Sequence, residues 1–215
     1  MPDHWIVHLA DARGRLSPKE AEIRDAIDRA EARVLEAGGM SDIDIIVEDI
    51  PGGVIEEMGL AGFSPSGWTI RLICDPGNPN FEGNLGEPLE RMIAHEANHT
   101  IRWRTQGYGR TLGEALVTEG LAGRYVHAIF DSAPEIFEAP RDGDLDALGD
   151  ALEQWAAPYD HAEWFFGTKD RPMWLGYRLG YRIVAQHIAA TGTPVRELTD
   201  APAAEFKDSA RRLAA

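Results

Sequence analysis

The distribution of apolar periodicity along this chain limits its fold more than any other feature. Before residue 75 short β-branched or alternating runs flank a single segment of helical spacing, and from residue 87 the apolar positions recur at helical spacing almost throughout. Residues 5–9 and 43–47 read as strands. In 68–74, Trp68, Ile70, Leu72 and Cys74 alternate with Thr69, Arg71 and Ile73, giving a third, half-buried strand. Between the first two strands, Ser17, Pro18 and Glu20 mark a helix start. Ala21, Ile23, Ala26, Ile27, Ala30 and Val34 form the apolar side of that helix, and it ends near Ala37 before Gly38-Gly39. Turn formers fill 75–80. From Glu87 the chain reads helical almost to its end, with one proline-rich interruption over 134–140. Strands first and helices afterwards make an α+β chain with a small N-terminal sheet and a mainly helical C-terminal lobe. The expected organisation is one domain over 1–215, its α/β part about 1–106 and its helical part about 107–215.

Charge and cysteine content narrow the partners. Lys+Arg is 21 against Asp+Glu 36, a net charge of −15, which repels phosphate backbones and anionic lipid. No nucleic acid or membrane partner is expected, and nothing in the sequence specifies an oligomeric state. With Cys74 as the single cysteine, no intrachain disulfide can form. The N-terminus lacks the pattern of a secretory leader, and no apolar stretch reaches the ~20 residues a membrane helix needs. A cytoplasmic location is the expectation.

Residues His95-Glu96-Ala97-Asn98-His99 spell H-E-x-x-H inside a segment that reads as helix from Pro88 to Trp103. Leu89, Ile93, Ala97 and Ile101 repeat at four-residue steps and make a core face, while Met92, His95, Glu96, His99 and Trp103 lie on another side. His95 and His99 stand one turn apart, so both imidazoles can reach one metal ion. Glu96 is rotated about 100° from His95, within reach of a water on that metal.

Two histidines need a third protein ligand. The next helical pattern, Leu112, Ala115, Leu116, Glu119, Ala122, Gly123 and Val126, is an apolar stripe with one carboxylate in its middle. A buried carboxylate is costly unless compensated, and metal coordination would compensate it. Glu119 is the candidate; Glu114 lies about 140° around the helix and off the stripe.

HEANH followed by Glu119-Gly120-Leu121-Ala122 resembles the gluzincin-type metallopeptidases, and more specifically the YjaZ-like family of predicted Zn-dependent proteases. The segments Trp164-Phe165-Phe166-Gly167 and Gly176-Tyr177-Arg178-Leu179-Gly180-Tyr181 are similar to that family's C-terminal motifs, and the likeness spans about residues 5–190. The resemblance implies a zincin-like fold, one Zn²⁺ per chain and hydrolysis of peptide bonds in a peptide or protein substrate. One departure stands out. Gluzincins often carry an acidic residue four places after the third ligand, where this chain has Gly123.

The expected chemistry is attack by a zinc-bound water, with Glu96 as the base that later returns the proton to the leaving amine. The oxyanion needs a further donor; Tyr177 is the first choice, with Tyr181 and His161 as alternatives. A zinc-dependent hydrolase of a small non-peptide amide, or a non-catalytic zinc-containing peptide-binding module, would fit the same ligands. The strand over 68–74 stands where zincins place an edge strand able to pair with an extended peptide, although an ordinary sheet strand reads the same. His127 is expected to pack or face solvent, and Cys74 to be a small buried hydrophobe. Trp155, Tyr159, Trp164, Phe165, Phe166 and Trp174 suggest an aromatic core for the helical lobe. Asp142, Asp144, Asp146 and Asp150 read as a solvated helix start rather than a calcium loop.

Overall fold

Alternating side chains build the sheet. Ile45 and Val47 in β2 (Asp44–Asp49), and Ile70, Leu72 and Cys74 in β4 (Thr69–Cys74), are fully buried while their neighbours are not. The computed structural model describes residues 4–168 and 170–215, which divide into two compact units, the first ending at Arg104 and the second beginning at Thr105. The chain is α+β, as the sequence predicts.

In the first unit, β1 (Ile6–Ala10) leads through α1 (Glu20–Glu36) to β2, and the two strands pair in parallel. An antiparallel hairpin of β3 (Leu60–Ser66) and β4 follows, with β4 parallel to β2, so the sheet order is β1-β2-β4-β3. The strand over 68–74 is therefore interior, not an edge: its backbone is paired on both sides. On that side the edge position belongs to β3, which lies in a charge-free stretch holding Gly62, Pro65 and Gly67. Proline tolerates an edge strand because it has no N–H to donate, and here the ladder is irregular between Phe63 and Ser66. That irregularity accompanies an exposed Phe63 beside a buried Ser64. Ile23, Ile27, Ala30 and Val34 of α1, with Leu89, Ile93 and Ala97 of α2 (Glu87–Trp103), complete the apolar core of this unit. Burial pushes the Cys74 thiol up to about 12, the behaviour of a packed hydrophobe.

The second unit is organised by α3 (Leu112–Phe130) and α5 (Leu175–Thr191), with α4 (Leu148–Glu153), α6 (Val195–Leu198) and α7 (Lys207–Leu213) packed around them. A β-carbon on Gly120 would sit 2.1 Å from the Gly180 carbonyl oxygen, and one on Gly180 equally close to that of Leu116. Only two glycines let these helices approach so closely. The break in helical structure is wider than the proline-rich stretch alone, for no helix covers 131–143, and between α4 and α5 the described residues form one wide helical turn, Ala162–Phe166. Asp144 also departs from the solvated reading. It is 4% exposed and faces Arg178, which is fully buried, with Nε 2.9 Å and Nη2 2.9 Å from Oδ1. Trp155, Trp164 and Phe165 are buried as a core would have them, whereas Phe166 is exposed. Among the described residues, no helix is long and apolar enough to cross a membrane.

Candidate metal centre

Helix α2 starts with Pro88 in its first turn and carries its acidic residues Glu87 and Glu90 there, both favourable at a helix N-terminus. Its core face fixes its rotation, and that rotation leaves His95, Glu96 and His99 together. The two imidazoles are edge to face with centroids 4.8 Å apart, and His95, Glu96 and His99 are 6%, 6% and 4% exposed.

The carboxylate of Glu96 is held from β3. Ser64 Oγ lies 2.8 Å from Oε2 and 2.9 Å from the backbone oxygen of Glu96, both acceptors for its one proton. Two turns along α2, Trp103 Nε1 donates to the Ser64 carbonyl at 2.7 Å. At Gly62 a β-carbon would lie 2.6 Å from Glu96 Cγ, so the strand presses its bare backbone against the acid. Glu96 is thus gripped by Ser64 and by the bare backbone at Gly62, both on β3, and Trp103 fixes Ser64 in turn.

In the second unit Glu119 sits in the middle of α3, 3% exposed. Tyr108, in the loop before α3, donates its phenol proton to Glu119 Oε1, and its carbonyl accepts from Thr118 Oγ1 at 2.9 Å. Burial and the neighbouring Glu119 charge push the Tyr108 phenol well above its ordinary value, so it stays a donor. Tyr159 is raised for the same reasons, to about 12. His161 stacks on Phe165 and is driven below its ordinary value by burial, against the opposing pull of Glu119. Glu114 has a different task. Its Oε2 accepts from the backbone N–H groups of Arg110 and Thr111 at 2.8 and 2.9 Å, in a capping box with Thr111.

The two tyrosines of α5 part company. Tyr177 packs edge to face on Phe137 and Phe165 and lies close enough to Tyr108 to affect its ionisation. Tyr181 accepts from Arg124 Nη1 at 2.9 Å, with that guanidinium 4.8 Å over its ring. His127 shares a hydrogen bond with the Ser132 carbonyl, the packed role expected of it.

The family model described as Predicted Zn-dependent protease (DUF2268) matches residues 25–208. The chain belongs to this family. The match takes in all of α2, α3 and α5, so the resemblance to the family of predicted Zn-dependent proteases is borne out. No curated protein and no solved structure matches the chain.

In this family member, Gly123 has a carboxylate packed against it. Glu138, 2% exposed, places Oε1 where a β-carbon on Gly123 would be only 2.2 Å away. A carboxylate therefore does lie one turn beyond Glu119, delivered by a loop instead of by the helix itself. Ser64, Tyr108 and Glu138 are the polar residues that sequence reasoning missed. A lone tyrosine between Gly107 and Gly109 was the one available hint for Tyr108, and it reads equally well as turn filler.

Proposed function

We propose that the chain is a zinc-dependent peptidase in which His95, His99 and Glu119 hold one zinc and Glu96 is the general base. The observation that carries this reading is the grip on Glu96. A carboxylate adjacent to two histidines one turn apart, buried and fixed in orientation by Ser64, has no function in a purely structural metal site.

The donor set fits zinc. Two imidazole nitrogens and one carboxylate oxygen are the borderline ligands zinc takes, each of the three residues is buried and offers one ligand atom, and three protein ligands leave a position open. Zinc bound there supplies Lewis acidity, lowering the pKa of a water to ~7 and polarising the substrate carbonyl. Glu96 takes the proton of the attacking water on a carboxylate oxygen and returns it to the leaving amine. Ser64 keeps that carboxylate from rotating between the two transfers. Tyr177 is the proposed donor to the oxyanion, a choice favoured by the commitment of Tyr181 to Arg124. On this reading the whole chain acts as one zincin-like gluzincin domain on a peptide or protein substrate in the cytoplasm.

Elemental analysis of the purified protein is the first test. About one zinc per wild-type chain is expected, with loss in His99→Ala and in Glu119→Ala. Glu96→Gln should keep its zinc and lose peptide hydrolysis by roughly 10²–10⁴-fold, the range for removing a general base. A wild type that takes up no zinc from excess metal would sink the peptidase reading. A Glu96→Gln variant as active as wild type would remove Glu96 from the mechanism.

A further inference from the structure

The loop leading into α3 is tied to that helix at three successive points. Arg110 and Thr111 donate backbone protons to Glu114 Oε2, Thr118 Oγ1 donates to the Tyr108 carbonyl, and the Tyr108 phenol donates to Glu119 Oε1. The first two ties fix the Tyr108 backbone on α3 a few residues from Glu119. The third then acts on a defined atom. A carboxylate has two equivalent oxygens and can grip a cation with one or with both, and a hydrogen bond to one oxygen both removes that equivalence and fixes the rotamer. If both oxygens of Glu119 ligated, a fifth ligand would crowd the water position that hydrolysis needs.

We infer that Tyr108 is a positioning residue of the metal centre: by holding Oε1 it orients Glu119 to ligate through Oε2 alone. The inference rests on the proposal that Glu119 is a zinc ligand and adds to it a defined ligation mode and the residue that sets it. Groups that orient metal ligands through hydrogen bonds are commonly worth a factor of 10–100 in metal affinity.

The test uses metal alone and needs no substrate. Zinc affinity of the full-length chain is measured by competition with a chromophoric chelator, and the visible absorption of the cobalt(II)-substituted protein reports coordination number. Wild type, Tyr108→Phe, Thr118→Val and Glu119→Ala are compared. Tyr108→Phe should bind zinc roughly 10–100-fold more weakly. Its cobalt absorption should also weaken, as a carboxylate free to use both oxygens raises the coordination number above four. Thr118→Val keeps the phenol but releases the loop, and should shift both readouts in the same direction by less. Circular dichroism melts of the metal-free proteins separate this from damage to the fold: a loss of affinity matched by loss of metal-free structure in both variants would overturn the inference. So would wild-type affinity and an unchanged cobalt spectrum in Tyr108→Phe while Glu119→Ala has lost its metal, which leaves the zinc reading standing. Failure of Glu119→Ala to lose metal, or of wild type to bind it, would instead defeat the zinc reading and this inference with it.

Discussion

Ser64 Oγ stands 2.8 Å from Glu96 Oε2, and Ser64 is itself fixed because Trp103 of the same helix donates to its carbonyl. Helix α2 thus carries both the carboxylate and the clamp that holds the group orienting it. A hydrogen bond to a charged group contributes about 1.5–3 kcal/mol, or roughly ten- to hundredfold in a rate that depends on it. Ser64→Ala should lower kcat for peptide hydrolysis by at least about tenfold while zinc content and KM hold. Steady-state kinetics beside elemental analysis check this, and a kcat within about twofold of wild type would show that Glu96 needs no such support.

Gly120 and Gly149 should respond to alanine with opposite signs. At Gly120 the obstructing atoms are the Gly180 backbone, 2.1 Å from the new carbon, so α3 and α5 must separate. Overpacking of this kind costs about 1–3 kcal/mol or more. At Gly149, in α4, nothing lies within 4 Å, and alanine should stabilise by about 0.5–1 kcal/mol through helix propensity alone. Urea unfolding of the two variants measures both, and equal effects would refute the assignment of the helix crossing to these glycines.

Arg178 and Asp144 should show strong coupling. Removing one partner of a buried ion pair strands the other, at about 3–5 kcal/mol, whereas replacing both with apolar residues costs far less. Arg178→Met is therefore expected to be much worse than the double change with Asp144→Leu. A double-mutant cycle checks it, and additive losses would mean that the pair is not the unit the geometry describes.

Stability should fall on acidification through the range where histidine ordinarily titrates. Burial holds His187 below its ordinary value, opposed by the Glu205 charge, so the folded chain keeps it neutral where the unfolded chain has begun to protonate it. The unfolded state then binds more protons, and stability rises with pH across that window and is lost as pH drops below about 6.5. Urea unfolding of the metal-free protein from about pH 7.5 to about pH 5.5 should show that slope. His187→Gln should flatten it in part, with His161, lowered in the same direction, retaining the rest. A slope identical in the variant would show that His187 does not contribute.

What the sequence determined by itself is what local repetition encodes. The four-residue steps of Leu89, Ile93 and Ala97 rotate α2 so that His95, Glu96 and His99 share one side, and this needs no knowledge of the neighbours. The stripe around Glu119, the switch from strands to helices and the membership in a family of predicted Zn-dependent proteases were legible for the same reason. Tertiary structure alone decided the rest. That β4 is interior depends on β3 coming back to pair with it, and a stretch rich in glycine and proline carries no periodicity to announce a strand. Ser64 meets Glu96 across 32 residues, and Glu138 fills the space over Gly123 from outside the helix. Asp144 is buried because Arg178, 34 residues away, neutralises it. In each case the partner is distant along the chain, and a serine, a glycine or an aspartate looks the same in sequence whether it faces water or holds a buried carboxylate in place.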